Sequence, residues 1–222
     1  MDEMSTTTTP SAPGDRWTRG GEQERSVRTQ DALLDAAETL FGRNGVADTS
    51  VTDVARHAGR SVGSLYHHFT NKATLVSAVV DRILGDLESA GIGAVDPARW
   101  EGHDIRSIVR TYVSNSLELR DRRPGYKRIV IEVALSDPAT SDRYQRFRRQ
   151  LDNGLTALLV ARSAEIGHPD PSVAARFCID QLTAMLTARL DSDSTPSQLG
   201  DDPDSTFIEE SLDSVVSYLR LT

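Results

Sequence analysis

The chain has 222 residues, 38% of them hydrophobic, with 33 Asp/Glu against 25 Lys/Arg and a net charge of −8. That length supports a sizeable core and either one large domain or two unequal ones, while the single cysteine, Cys178, excludes an intramolecular disulfide and the usual mark of an oxidising compartment. Residues 1–21 are rich in Ser, Thr, Pro and Gly but lack the basic start and apolar run of a signal peptide, and no later run approaches the ~18 apolar residues of a membrane span. The expectation is a cytoplasmic chain with no membrane partner.

The acid excess argues against a chain that binds phosphate over its whole surface, because neutralising phosphate needs cations. Residues 1–72, however, carry eight Lys/Arg against ten Asp/Glu. That near balance leaves room for a local cationic face.

Strand-type alternation is scarce and apolar spacings of three and four recur, so the sequence predicts an all-α fold. A disordered tail is expected over residues 1–25. Arg16, Arg19, Arg25 and Arg28 lie in it or beside it, suited to insertion into a minor groove or part of a leader of no consequence. A first helix then places Leu33, Ala36, Ala37, Leu40 and Phe41 on one face and stops at Asn44-Gly45.

A second, short helix starts at Ser50, whose hydroxyl can cap free amides with Asp53 completing a pair like a capping box. Val51, Val54, Ala55 and Ala58 form its apolar side. After Gly59, Ser61 caps a third helix of about two turns, with Val62, Leu65 and Phe69 facing inward. Two short helices joined by a tight glycine turn make a helix-turn-helix. Asn71 can cap a fourth helix whose stripe, Val76, Val79, Val80, Ile83 and Leu87, runs on toward a second domain.

In a helix-turn-helix the second helix enters the major groove, so its outward residues have to reach base edges and phosphates. Here they are Arg60, Ser61, Gly63, Ser64, Tyr66 and His67, with His68 beside them. Gly63 allows close backbone approach, Ser64 and His67 hydrogen-bond, Tyr66 reaches a phosphate or a thymine methyl, and Arg60 contacts phosphate or guanine. Thr49, Ser50 and Lys72, near the amides that open the second and fourth helices, are expected to grip flanking phosphates. His67 and His68 point about 100° apart on a helix and have no third ligand at suitable spacing, so no metal site is expected.

Breaks are expected at Gly91 to Pro97, Arg123 to Gly125, Gly167 to Pro171 and Asp191 to Asp204. Between them lie Ile105, Ile108, Val109, Tyr112 and Val113, then Ile129 to Leu135, then Tyr144, Phe147, Leu151, Leu155, Leu158 and Leu159, which suit a helical bundle. The last two helices carry Cys178, Leu182, Met185 and Leu186, and Ile208, Leu212, Val215, Val216 and Leu219. Cys178 on such a stripe reads as inert packing. There is no nucleophile–base–acid arrangement, metal-ligand pattern or phosphate loop, so neither an enzyme nor a cofactor is expected.

Residues 46–75, and above all DVARHAGRSVGSLYHHFTNKATL (53–75), closely resemble the TetR family: the spacing, the turn glycine, Leu65-Tyr66-His67-His68-Phe69 and Asn71-Lys72 agree together. The likeness is strong over residues 27–85 and beyond that rests on length and helical layout. It implies a DNA-binding domain over 26–71 and an effector-binding and dimerisation domain over 72–222. It further implies a homodimer paired through the last two helices, a palindromic operator in double-stranded DNA, and a small-molecule effector. For the effector pocket, Tyr112, Ser116, Arg128, Glu132, Tyr144, Phe147, Arg148, Phe177, Gln181 and Met185 stand where helices are expected to converge. The function implied is a transcriptional regulator, in the family's commoner mode a repressor that its ligand releases. The alternative is an activator or a DNA-anchored protein that recruits another through its C-terminal domain.

Overall fold

The computed structural model describes residues 15–190, 199 and 201–221, with side chains from residue 21 onward except that of Glu22. Among them the chain forms nine α-helices and no strand: α1 (Asp15–Asn44), α2 (Val51–His57), α3 (Val62–His68), α4 (Lys72–Ala94), α5 (Ile105–Arg122), α6 (Tyr126–Ala134), α7 (Pro138–Val160), α8 (Pro171–Leu190) and α9 (Pro203–Leu219). None of these helices is long and apolar enough to cross a membrane.

Two apolar cores organise the helices. The first joins α1–α4 around Leu33, Phe41, Val54, Leu65, Leu75 and Ile83, and α6 adds Ile129 and Val130 to it. The second, built on α5 and α7–α9, centres on Ile108, Leu155, Leu159, Ile179 and Val215. Phe147 of α7 packs against both. The first core is therefore closed by a helix more than fifty residues downstream of α3, and the residue-71 boundary falls at the cap of a helix whose stripe it needs.

Residues 1–14 of the expected tail lie outside the described residues. From Asp15 the chain is already α1, which corrects the boundary at Arg25. The Ser/Thr/Pro-rich composition ends at Pro13; the stretch after it is rich in Glu, Gln and Arg, good helix formers, and Arg28 pairs with Glu24 one turn earlier at 2.7 Å in a spacing that supports helix. Arg25 and Arg28 thus sit exposed on a helix, not on an extended arm.

Two further boundaries differ from the sequence pattern. Gly91 does not end α4: a Cβ there would meet the Phe147 ring at 2.8 Å, so the glycine admits α7 to close approach and the helix runs on to Ala94. The α6–α7 break at Ser136–Asp137 went unpredicted. Asp137 caps α7 by accepting the N–H groups of Ala139 and Thr140, with Pro138 in the first turn, a start signal present in the sequence.

Candidate nucleic-acid interface and effector cavity

The turn between α2 and α3 has a simple cause. Gly59 adopts φ +65°, its N–H bonds the Arg56 carbonyl at 3.1 Å, and the Arg60 N–H bonds the Ala55 carbonyl at 2.8 Å, a pair of bonds that closes a helix with a left-handed residue. Ser50 caps α2 by accepting the Asp53 N–H at 3.1 Å and donates its own hydroxyl to the Asp53 carboxylate at 2.6 Å. Ser61 caps α3 through the Ser64 N–H at 3.0 Å. Asn71 and Thr74 form a full capping box on α4.

Leu65 and Phe69 bury the inner face of α3, with Val62 half-buried. The other face presents Ser61, Gly63, Tyr66 and His67 to solvent, Tyr66 with 51% of its surface exposed. Arg60 is exposed at the edge and Ser64 half-buried. A Cβ on Gly63 would meet nothing nearer than the Ser61 hydroxyl at 3.8 Å, so packing within the chain does not demand a glycine there. Burial of His68, with His67 against it, lowers its imidazole below the usual histidine range, so this ring is neutral at neutral pH. The His67 and His68 rings meet edge to face at 5.3 Å.

All three of the expected phosphate contacts are engaged within the chain, Ser50 through its cap and its bond to Asp53. Thr49 is buried and its hydroxyl donates to the Gly45 carbonyl at 2.9 Å, which removes it as a surface contact and makes it a brace of the α1–α2 turn. Lys72 is half-buried and its ammonium donates to the Ala47 carbonyl at 3.0 Å, placing the charge over that same turn. Ser50 remains exposed.

Where the two cores meet lies a cavity of about 90 Å³ that draws five of the ten residues expected there to one place: Tyr112 and Ser116 from α5, and Tyr144, Phe147 and Arg148 from α7. The sequence reading missed Tyr126 and Lys127, at the start of α6, and Thr183 and Thr187 of α8. Thr183, Leu186, Thr187 and Leu190 repeat at spacings of three and four, which was a usable signal; nothing marked Lys127 as a buried lysine.

The other five lie elsewhere. Arg128 and Glu132 share the face of α6 turned toward the head, because residues four apart stack on a helix. Glu132 accepts the N–H of Val46 and of Ala47, each at 3.0 Å, and Arg128 donates to the Arg43 carbonyl at 3.1 Å. These two side chains clasp the α1–α2 turn. Phe177 is 51% exposed and packs its ring against Tyr218 at 5.0 Å. Gln181 donates to the Ser214 hydroxyl at 3.3 Å, and Met185 is half-buried against the second core. Phe177 and Gln181 belong to the outer α8–α9 surface, opposite the buried Cys178, Leu182 and Leu186.

A charged junction fastens α1 to α4 and to the end of α5. The Glu38 carboxylate, 9% exposed, accepts from Arg123 at 2.7 and 2.8 Å and from Arg82 at 2.9 Å. Burial alone would raise the Glu38 pKa, but the hydrogen bonds and charges of Arg123 and Arg82 outweigh it and hold the carboxyl below its ordinary range. At the far end of the bundle Asp204 accepts from Arg120 and from Arg189, locking α9 to α5 and α8.

Residues 33–79 match the family model described as bacterial regulatory proteins, tetR family, and residues 104–219 match that of the tetracyclin repressor-like C-terminal domain. The HTH-type transcriptional repressor KstR2 of Rhodococcus jostii is 38% identical over 89 residues, 40% of this chain and 42% of that protein. The HTH-type transcriptional regulator TtgR of Pseudomonas putida is 41% identical over 61 residues, 28% of this chain and 29% of that protein. The match thus takes in less than half the length of either relative. Among solved structures, Salmonella enterica GusR superposes with a TM-score of 0.60 at 20% identity, over 86% of this chain and 95% of that one. FadR from Bacillus subtilis, solved in complex with stearoyl-CoA, gives 0.59 at 17% identity, over 84% and 97%; at such identities these likenesses concern the fold. The C-terminal match alone spans more than half of the sequence, and with the N-terminal match it establishes that this chain belongs to the TetR family of bacterial regulatory proteins.

Proposed function

We propose that this protein is a sequence-specific DNA-binding transcriptional repressor of the cytoplasm, whose grip on a palindromic operator is weakened by a small molecule held in the cavity among α4–α8. The observation that carries the reading is the outer face of α3: Gly63, Tyr66 and His67 stand exposed on a helix anchored from behind by Leu65 and Phe69. A helix so mounted can enter a major groove. Arg60, Ser61 and Ser64 flank the reading face, Lys72 has ammonium donors beyond the one on Ala47 to offer a phosphate, and Ser50 stands exposed with its backbone rather than its hydroxyl proton to offer.

Pairing through α8 and α9 across a two-fold axis sets two such heads about one DNA turn apart or a multiple of it. The exposed Val173 and Phe177 of α8 favour that surface. Tyr126 and Lys127 line the cavity, and on the same helix the next residue, Arg128, and Glu132, just over a turn beyond Lys127, hold the α1–α2 turn. A ligand that displaces α6 therefore acts on the head.

The test is selection of bound duplexes from a random pool by the purified protein, with Tyr66→Ala and His67→Ala as controls. A palindrome enriched by the unaltered protein and lost in both variants is expected. No enrichment at low salt by folded dimers would overturn the reading.

A further inference from the structure

At about 90 Å³ the cavity among α4–α8 has less room than the ~150 Å³ dry cavity that takes benzene, so an occupant has to part its walls. One part of those walls is apolar and aromatic: Leu87, Leu119, Tyr144 and Phe147 line it, the last two with ring centres 6.4 Å apart and planes tilted by 34°. Two tilted rings that share a lining with leucines suit a planar apolar body.

The charged side chains that line the cavity are both cations, Arg148 and Lys127. Arg148 directs Nη2 to the Asp152 carboxylate and to the Thr183 hydroxyl, each at 3.1 Å, and the Tyr112 side chain lies close enough to favour its charge. Asp152 stands behind Arg148 and outside the cavity lining. Burial raises its carboxyl above the ordinary range, and its bond to Arg148 engages Nη2 alone. A guanidinium offers five donors in a planar fork, and a carboxylate is the group that fork pairs with in two parallel bonds.

We propose, on the effector reading above, that the cavity takes a small aromatic monocarboxylate, with its carboxylate on Arg148 and its ring between Tyr144, Phe147 and Leu119. An amine in the same place meets two cations. A neutral amide forgoes the charge-assisted pair, which is roughly twice as strong as a neutral hydrogen bond.

Calorimetric titration of the full chain with benzoate and phenylacetate, against benzamide, benzylamine and stearoyl-CoA, tests this. The two acids are expected to bind roughly tenfold or more tightly than the amide and the amine, a margin worth about 1.4 kcal/mol. Arg148→Gln is expected to erase the margin and Arg148→Lys to keep part of it. If Arg148→Gln loses its cooperative melt, Tyr112→Phe is expected to narrow the margin in a folded protein. Equal binding of benzoate and benzamide, preference for benzylamine, or an Arg148→Gln or Tyr112→Phe variant that is folded yet keeps the full margin overturns the proposal. So does binding of stearoyl-CoA, or of no probe at all, by protein that still selects its operator, and in that case the regulator reading stands. Acid binding without operator selection has the reverse meaning: it supports this ligand class and removes the regulator.

Discussion

Gly42 of α1 and Gly125 of the α5–α6 turn touch backbone to backbone: a Cβ on Gly125 would lie 2.5 Å from the Gly42 Cα, and one on Gly42 would lie 2.6 Å from the Pro124 carbonyl oxygen. No flexible side-chain end can yield there. Gly42→Ala is expected to lower stability by about 1–3 kcal/mol, as overpacking does, and Gly125→Ala by more, because φ at Gly125 is +78°. Urea unfolding followed by circular dichroism checks this. A midpoint unchanged in Gly42→Ala would mean that the two backbones stand further apart.

Glu132 supplies both oxygens to the α1–α2 turn, so Glu132→Ala leaves the amides of Val46 and Ala47 without their acceptor. Each orphaned donor costs about 1–3 kcal/mol if it stays buried, and the turn instead opens to water. Hydrogen exchange of a peptide spanning residues 44–49 is expected to quicken in Glu132→Ala, and to quicken less in Glu132→Gln, which keeps one oxygen. Equal protection in all three proteins would remove the clasp.

The Glu38 junction makes stability depend on pH in a definite direction. The folded-state pKa of Glu38 lies below its ordinary value of 4.5, so its contribution is complete above that value and is lost as the pH falls through the depressed one. Asp204, held low by Arg120 and Arg189 against the opposing effect of burial, acts in the same sense. Glu38→Gln is expected to cost about 3 kcal/mol near neutral pH, since two arginines lose a buried partner, and to flatten the acid limb of a plot of stability against pH. An unchanged acid limb in the variant would count against the junction.

Cys178 is fully buried in the second core, and burial pushes its thiol pKa up to about 12. A thiol with so little thiolate at neutral pH is a poor nucleophile. Folded protein treated with iodoacetamide is expected to stay unmodified by intact mass, while protein unfolded in guanidinium gains one adduct. Rapid alkylation of the folded form would contradict the packing.

The head was legible in the sequence because its signals are local. Ser61, Asn71, Gly59 and the Leu65–Phe69 pair act within a few residues of themselves, and each stands where spacing placed it. The cavity region was half legible. Tyr112, Ser116, Tyr144, Phe147 and Arg148 were recognisable as polar or aromatic residues near converging helices. Which side of α6 faces the cavity, however, depends on the rotation of a nine-residue helix whose buried apolar residues, Ile129 and Val130, point into the first core. Nothing near Glu132 announces that its partners lie 86 and 85 residues earlier. The Thr49 error has the same origin: a threonine beside a serine cap looks exposed until the Gly45 carbonyl is brought to its hydroxyl.

Ala47 has its N–H on Glu132 of α6 and its carbonyl on Lys72 at the start of α4. One residue with a single-methyl side chain is therefore the junction box of the molecule, wired to the helix that lines the cavity through one backbone group and to the start of α4 through the other. Side-chain scanning is blind to such a joint, because both wires are main chain. An Ala47→Gly exchange leaves them in place, whereas Ala47→Pro cuts the first and spares the second. Signal loss from that proline alone, with operator binding retained, would show how much of the message passes along α6.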